Sequence, residues 1–146
     1  MALKNSELFF SVILDACQLA GRSFTSDRRP MVIILHICSR EDWADAQFLG
    51  EYRGDAIAIE GFIHCSKPDQ IIEIANVLFK GQLNLLLLVI DSEKVQAPIK
   101  YEDPGDLEPT GKLYPHIYGS LNLDAVISTK ELQPNEQGLF SLPAIP

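Results

Sequence analysis

The sequence holds three histidines, and each sits at or near the end of an apolar segment: His36 in "LHICS", His64 in "IHCS" and His116 in "PHIYG". Imidazole titrates near neutral pH, so histidines gathered in one place are candidates for acid–base chemistry. In the first two segments a Cys and then a Ser follow the histidine. Successive residues of a strand face opposite sides, so in "GFIHCS" Phe62, His64 and Ser66 share one face while Ile63 and Cys65 share the other. Ile63 and Cys65 suit a core, and His64 and Ser66 point together elsewhere. Ser66 reads as the N-cap of a following helix. A helix start carries free backbone N–H groups and a partial positive charge, which suits a phosphate or carboxylate.

The same residues also have plain structural readings. A Ser before a helix is commonly only a cap, and a lone histidine in an apolar setting is commonly a hydrogen-bonded core residue. Trp43, Tyr52, Tyr114 and Tyr118 read first as packing residues, and Glu60 and Glu102 as solvated ends of strands. Zinc is a rival use for three histidines with Cys38 or Cys65. His64 and Cys65 face opposite sides of one strand, however, and the chain has no His-x-His or His-x3-His pair, so no metal is expected. The same opposition argues against a nucleophilic His64–Cys65 pair and leaves His64 with Cys38 open. There is no Gly-rich phosphate loop of the Walker or Rossmann type.

Bulk properties narrow the partners. The 146 residues suffice for one domain with a real core. With 47% hydrophobic and 22% charged residues, the chain has globular rather than disordered composition. Its net charge of −8, with no basic run longer than Arg28-Arg29, argues against nucleic acid as a partner. An odd three cysteines without Cys-x-x-Cys spacing fit a reducing cytoplasm. No apolar run approaches the ~18 residues that span a bilayer, so no membrane partner is expected.

The elements that must hold these side chains follow from period and punctuation. "MVIILHIC" is a β-branched run and reads as a strand buried on both faces; "SREDWADAQFLG" reads as a helix capped by Ser39 and closed by Gly50. "EYRGDAIA" reads as a loop and "GFIHC" as a second strand. A second helix runs from the Ser66 cap to Lys80, with Ile71, Ile74, Ala75, Leu78 and Phe79 on one stripe. "LNLLLLVID", "PIKYE" and "LDAVISTKEL" read as further strands, and "DPGDLEPTGK" as an acidic turn-rich loop. The fold class is α+β, with a split mixed or antiparallel sheet and two flanking helices. The domain is placed at 31–132, with a surface tail at 133–146. Residues 1–30 form an N-terminal extension, in which "SELFFSVILDACQLAGR" looks helical. A secretory signal fits it poorly because Asp15 interrupts the apolar stretch, and Met31 is an alternative natural start.

These segments carry a family resemblance. "LHI", "W..A...G.Y.GD", "EGFIHCS...Q....AN..F.G...L.LL.ID", "KYE" and "PHIYG.L.LDAV" resemble domain-of-unknown-function family 952, small bacterial proteins, over residues 32–132. The resemblance implies a fold related to the ADP-ribosyltransferases, whose split sheet holds a nicotinamide dinucleotide in its cleft. It places His36 where a first-strand residue contacts the adenosine ribose, and His64 and Ser66 loosely beside the nicotinamide ribose. The region where such enzymes carry Gln-x-Glu or Glu-x-Glu has "PHIYG" instead. Together these readings give a polar cleft for a nucleotide-like or phosphate-bearing small molecule, with NAD as a candidate substrate and no cofactor assigned. Its acid–base candidates are His64 and His116, and its ligand contacts are His36, Ser66, Tyr52 and Tyr118. The alternative is a non-catalytic ligand-binding or protein-interaction module whose histidines are structural.

Overall fold

A computed structural model describes residues 31–103 and 111–146. The expected N-terminal helix and most of the acidic loop lie outside the described residues. Eight strands are present among the described residues: β1 (Ile33–Ser39), β2 (Glu51–Tyr52), β3 (Ile63–His64), β4 (Leu85–Asp91), β5 (Ile99–Glu102), β6 (Tyr114–Ile117), β7 (Leu121–Asn122) and β8 (Val126–Leu132). Three α-helices accompany them: α1 (Arg40–Leu49), α2 (Ala56–Glu60) and α3 (Ile71–Leu78).

The strands form three sheets, ordered β1-β4-β8, β2-β7 and β3-β6-β5. Every pairing is antiparallel, which resolves the expected mixed or antiparallel sheet in favour of the second. All seven residues of β4 are buried because that strand is central and covered on both faces. Its side chains divide between two cores. Leu86, Leu88 and Ile90 pack with Ile34, Ile63 and Ile117, whereas Leu85, Leu87 and Val89 pack with Leu35, Ile37 and Ile71.

The first helix is where its punctuation puts it. The Ser39 hydroxyl accepts from the Asp42 N–H at 3.0 Å, and Gly50 closes the helix at φ 91°, a left-handed conformation that favours glycine. Two local expectations need correction. The expected loop "EYRGDAIA" instead holds the strand Glu51–Tyr52 and the start of the helix Ala56–Glu60, giving β2, α2 and a third helix. Ser66 is not a helix cap: it bridges Leu35 of β1 through paired backbone hydrogen bonds of 2.8 Å, which carries the β3 path beyond Cys65. A turn at residues 67–70 follows, and α3 begins at Ile71. The tail is more than a surface covering, because Phe140 is buried in the second core and its N–H donates to Asn76 Oδ1. Among the described residues no helix is long and apolar enough to cross a membrane.

Candidate functional site

Strand alternation sorts the site. Ile63 pairs with Ile117, which pairs with Ile99, forming an isoleucine row that faces the core. One residue along, His64 pairs with His116, which pairs with Lys100, forming a polar row on the opposite face. The period of two that buries three isoleucines therefore also delivers two imidazoles to one place. Phe62, two residues before His64, stacks on the His116 ring at 4.2 Å between centroids and 18° between planes. It also meets the His64 ring edge-on at 4.8 Å.

Each of these histidines is held at one nitrogen by a glutamate. His64 Nε2 donates to Glu60 Oε1 at 2.6 Å, and His116 Nδ1 donates to Glu102 Oε1 at 2.7 Å. The Tyr118 hydroxyl donates to the same Glu102 oxygen at 2.6 Å. Those donations, the tyrosine's first and the imidazole's second, hold the Glu102 carboxyl below its ordinary range, and the bond to Glu102 raises the Tyr118 hydroxyl above its own. A carboxylate only accepts, so it fixes which nitrogen of each ring donates. Burial differs sharply: His116 is 3% exposed, whereas the His64 side chain is 51% exposed.

His36 is arranged differently. Its Nδ1 donates to the His64 carbonyl at 2.5 Å, and its Nε2 accepts from the Tyr52 hydroxyl at 2.8 Å. Desolvation lowers its pKa to about 4, and the bond to the His64 carbonyl opposes that fall only in part. At neutral pH His36 is thus an uncharged clasp that ties β1 to β2 and β3 through both ring nitrogens. Tyr52 is buried, and its hydroxyl is raised by burial first and by nearby acidic groups second.

His36, His64, Ser66 and His116 all border a single cleft of about 590 Å³. Its remaining wall is chiefly apolar, with Leu35 and Ile37 from β1 and Ile71, Ile74, Leu78 and Phe79 from α3 and its end. The expected polar cleft is therefore an apolar one with imidazoles along one side, because α3 turns its apolar stripe toward it. Tyr118 is not in that lining; it stands behind His116, joined to it through Glu102. Tyr52 borders a second, smaller cleft. The anion corner expected from Ser66 and a helix start is not assembled, since Ser66 lies five residues before α3.

Several neighbours were not legible as site residues. Glu60 and Glu102 read as solvated, and Phe62 only as a strand residue. Alternation gives a signal for Glu102, which lies two residues beyond Lys100 and so on the His116 face of the sheet. Thiol chemistry is disfavoured: burial, with Asp42 adding, pushes Cys38 up to about 12, and burial raises Cys65 as well. Among the described residues, no three His, Cys, Asp or Glu side chains are placed to hold a metal ion.

The family profile described as "Protein of unknown function (DUF952)" matches residues 37–129. The chain belongs to this family. No curated protein matches it. Among solved structures it is similar to protein CC0527 from Caulobacter crescentus, at 31% identity, covering 75% of this chain and 94% of that one. The TM-score to that crystal structure is 0.68. The solution NMR structure of the same protein gives a TM-score of 0.62 over 91% of its length. The likeness spans nearly the whole of that protein, so the antiparallel α+β body described here is a DUF952 architecture.

Proposed function

We propose that the DUF952 cleft binds a nucleotide-like small molecule, with His64 and His116 as an acid–base pair for transfer or hydrolysis at an anomeric carbon. The observation that carries this reading is that histidines from three strands border one cleft of about 590 Å³, a size usual for small-molecule sites. The Glu60 and Glu102 contacts support the acid–base role, because a carboxylate on one ring nitrogen fixes the orientation of the imidazole. The apolar walls suit a planar base. NAD and ADP-ribose are the first candidates. They follow from the resemblance to an ADP-ribosyltransferase-like split sheet, in which His36 stands on the first strand. Here both His36 nitrogens are engaged within the protein, so its part is to hold β3 in place beside the ligand. The two free described cysteines and the acidic balance fit a cytoplasmic protein.

A second reading is favoured by the burial of His116 and the saturation of His36: a non-catalytic module whose histidines stabilise strand ends. The two readings separate by product analysis. The protein is titrated with NAD, ADP-ribose, AMP and inorganic phosphate, and then incubated with NAD while nicotinamide release is followed. Release that disappears in His64→Ala supports the enzyme. Saturable binding without release supports the module, and flat titrations for all four compounds reject the cleft as a nucleotide site.

A further inference from the structure

The larger cleft has a neighbour of about 320 Å³, bordered by Ser39, Asp42, Tyr52, Arg53, Asp55 and Gln82 among others. The two clefts share part of their lining: His36, Ile37, His64 and Phe79 border both. Their chemistry differs. The larger is mostly leucine, isoleucine and phenylalanine with Glu73, Lys112 and Tyr114 on its border, whereas the smaller, beside Ile63 and Leu85, has a greater polar share, with carboxylates at Asp42 and Asp55 and donors at Arg53 and Gln82. We infer that the two clefts form one bipartite site for the nucleoside part of such a ligand, with the base between α3 and β1 and the sugar in the smaller cleft, any phosphate lying outside both. This rests on the nucleotide-like reading above and specifies how such a ligand lies.

The assignment follows from complementarity. A planar base suits apolar walls, and its burial there removes apolar surface from water. Sugar hydroxyls both donate and accept, so they match a lining that holds both kinds of partner. A phosphate would face Asp42 and Asp55 with one arginine to offset them, and Arg53 already lies 3.4 Å from Glu51. The smaller cleft therefore selects hydroxyls over phosphate. The bond that joins base to sugar would lie where the two clefts meet, beside His64, which borders both.

The test uses adenosine, adenine, ribose and AMP as probes, titrated into the full chain by calorimetry or ligand-observed NMR. Two parts bound together gain from their linkage, so adenosine is expected to bind at least about ten-fold tighter than adenine or ribose alone. Gln82 borders only the smaller cleft and Leu78 only the larger, and both are exposed, so each can be enlarged without disturbing a core. Gln82→Trp should remove the adenosine advantage and leave adenine affinity unchanged. Leu78→Trp should weaken both compounds. Adenine binding as tightly as adenosine, or adenosine affinity unmoved in Gln82→Trp, overturns the bipartite site while the nucleotide-like reading stands. Failure of all four probes to saturate overturns both.

Discussion

His64 and His116 are direct cross-strand partners, with ring centroids 5.2 Å apart and planes at 80°. One ring is largely open to solvent and the other is buried beneath Phe62, so the pair reaches from solvent into the sheet. Their substitutions should therefore separate function from stability. His64→Ala removes one exposed contact with Glu60 and is expected to cost less than ~1 kcal/mol of folding stability. His116→Ala removes a buried, stacked and hydrogen-bonded ring and should cost about 2–4 kcal/mol. Urea denaturation of both variants checks this, and equal costs would contradict the structure.

The His36 clasp makes a second expectation. Tyr52→Phe deletes only the hydroxyl that donates to His36 Nε2. A partly buried acceptor left without its donor loses about the net worth of one hydrogen bond, so the variant should lose about 1 kcal/mol of stability while keeping its fold. Near-wild-type stability would show that Nε2 finds another donor.

The same clasp carries a pH dependence whose sign is fixed. His36 is lowered from an ordinary 6.5 to about 4 in the folded chain, so between these values the unfolded chain binds the extra proton. Its contribution to stability is complete above pH 6.5 and is lost as pH falls toward 4, at a slope of at most ~1.4 kcal/mol per pH unit. Denaturation midpoints measured from pH 7.5 to pH 4 should fall across that window. The fall should be shallower in His36→Gln. Identical slopes in the two proteins would remove His36 as its cause.

Glu102 is held below its own ordinary range. Hydrogen bonds from Tyr118 and His116 depress its carboxyl, so its stabilising effect is present above the ordinary glutamate range and fades as acid protonates it. Glu102→Gln should therefore be less stable than the wild type at pH 7 and approach it as the pH falls below the ordinary glutamate range. A gap that persists or widens in acid would mean that the side chain acts through packing rather than charge.

The parts of this architecture legible in the sequence are those governed by short-range rules. The period of two in "GFIHC" separates Ile63 and Cys65 from His64, and Ser39 and Gly50 bracket α1, because caps and alternation act within a few residues. The meeting of three histidines was inferred from their similar positions at strand ends, and the register of β3 with β6 is what places two of them side by side. The errors came from longer-range effects. Ser66 has the local pattern of a cap, but pairing with Leu35, distant in sequence, keeps it extended. Glu60 and Glu102 look solvated until the fold sets an imidazole beside each. The apolar character of the cleft was already present in the Ile71–Phe79 stripe, which was read as facing a core although part of it lines the cleft.

The tail gives the most direct test of where the folded body ends. Expectation placed the boundary after Leu132, because "QPNEQGLFSLPAIP" has no periodicity. Phe140 is nevertheless 4% exposed, packed in the core that holds Leu87 and Ala75. Its backbone N–H is held by Asn76 Oδ1 at 2.7 Å, and the Gly81 N–H donates to the Gly138 carbonyl at 2.9 Å. These contacts join the tail to α3 and its end, the same helix that walls the larger cleft. Phe140→Ala should cost about 3–5 kcal/mol, as expected for a buried aromatic, and removal of residues 133–146 at least as much. Because Ile71 of α3 belongs both to this core and to the cleft lining, both changes should also loosen the cleft wall. That is measurable as faster amide hydrogen exchange in α3 than in β4. A truncated chain with wild-type stability would return the boundary to Leu132.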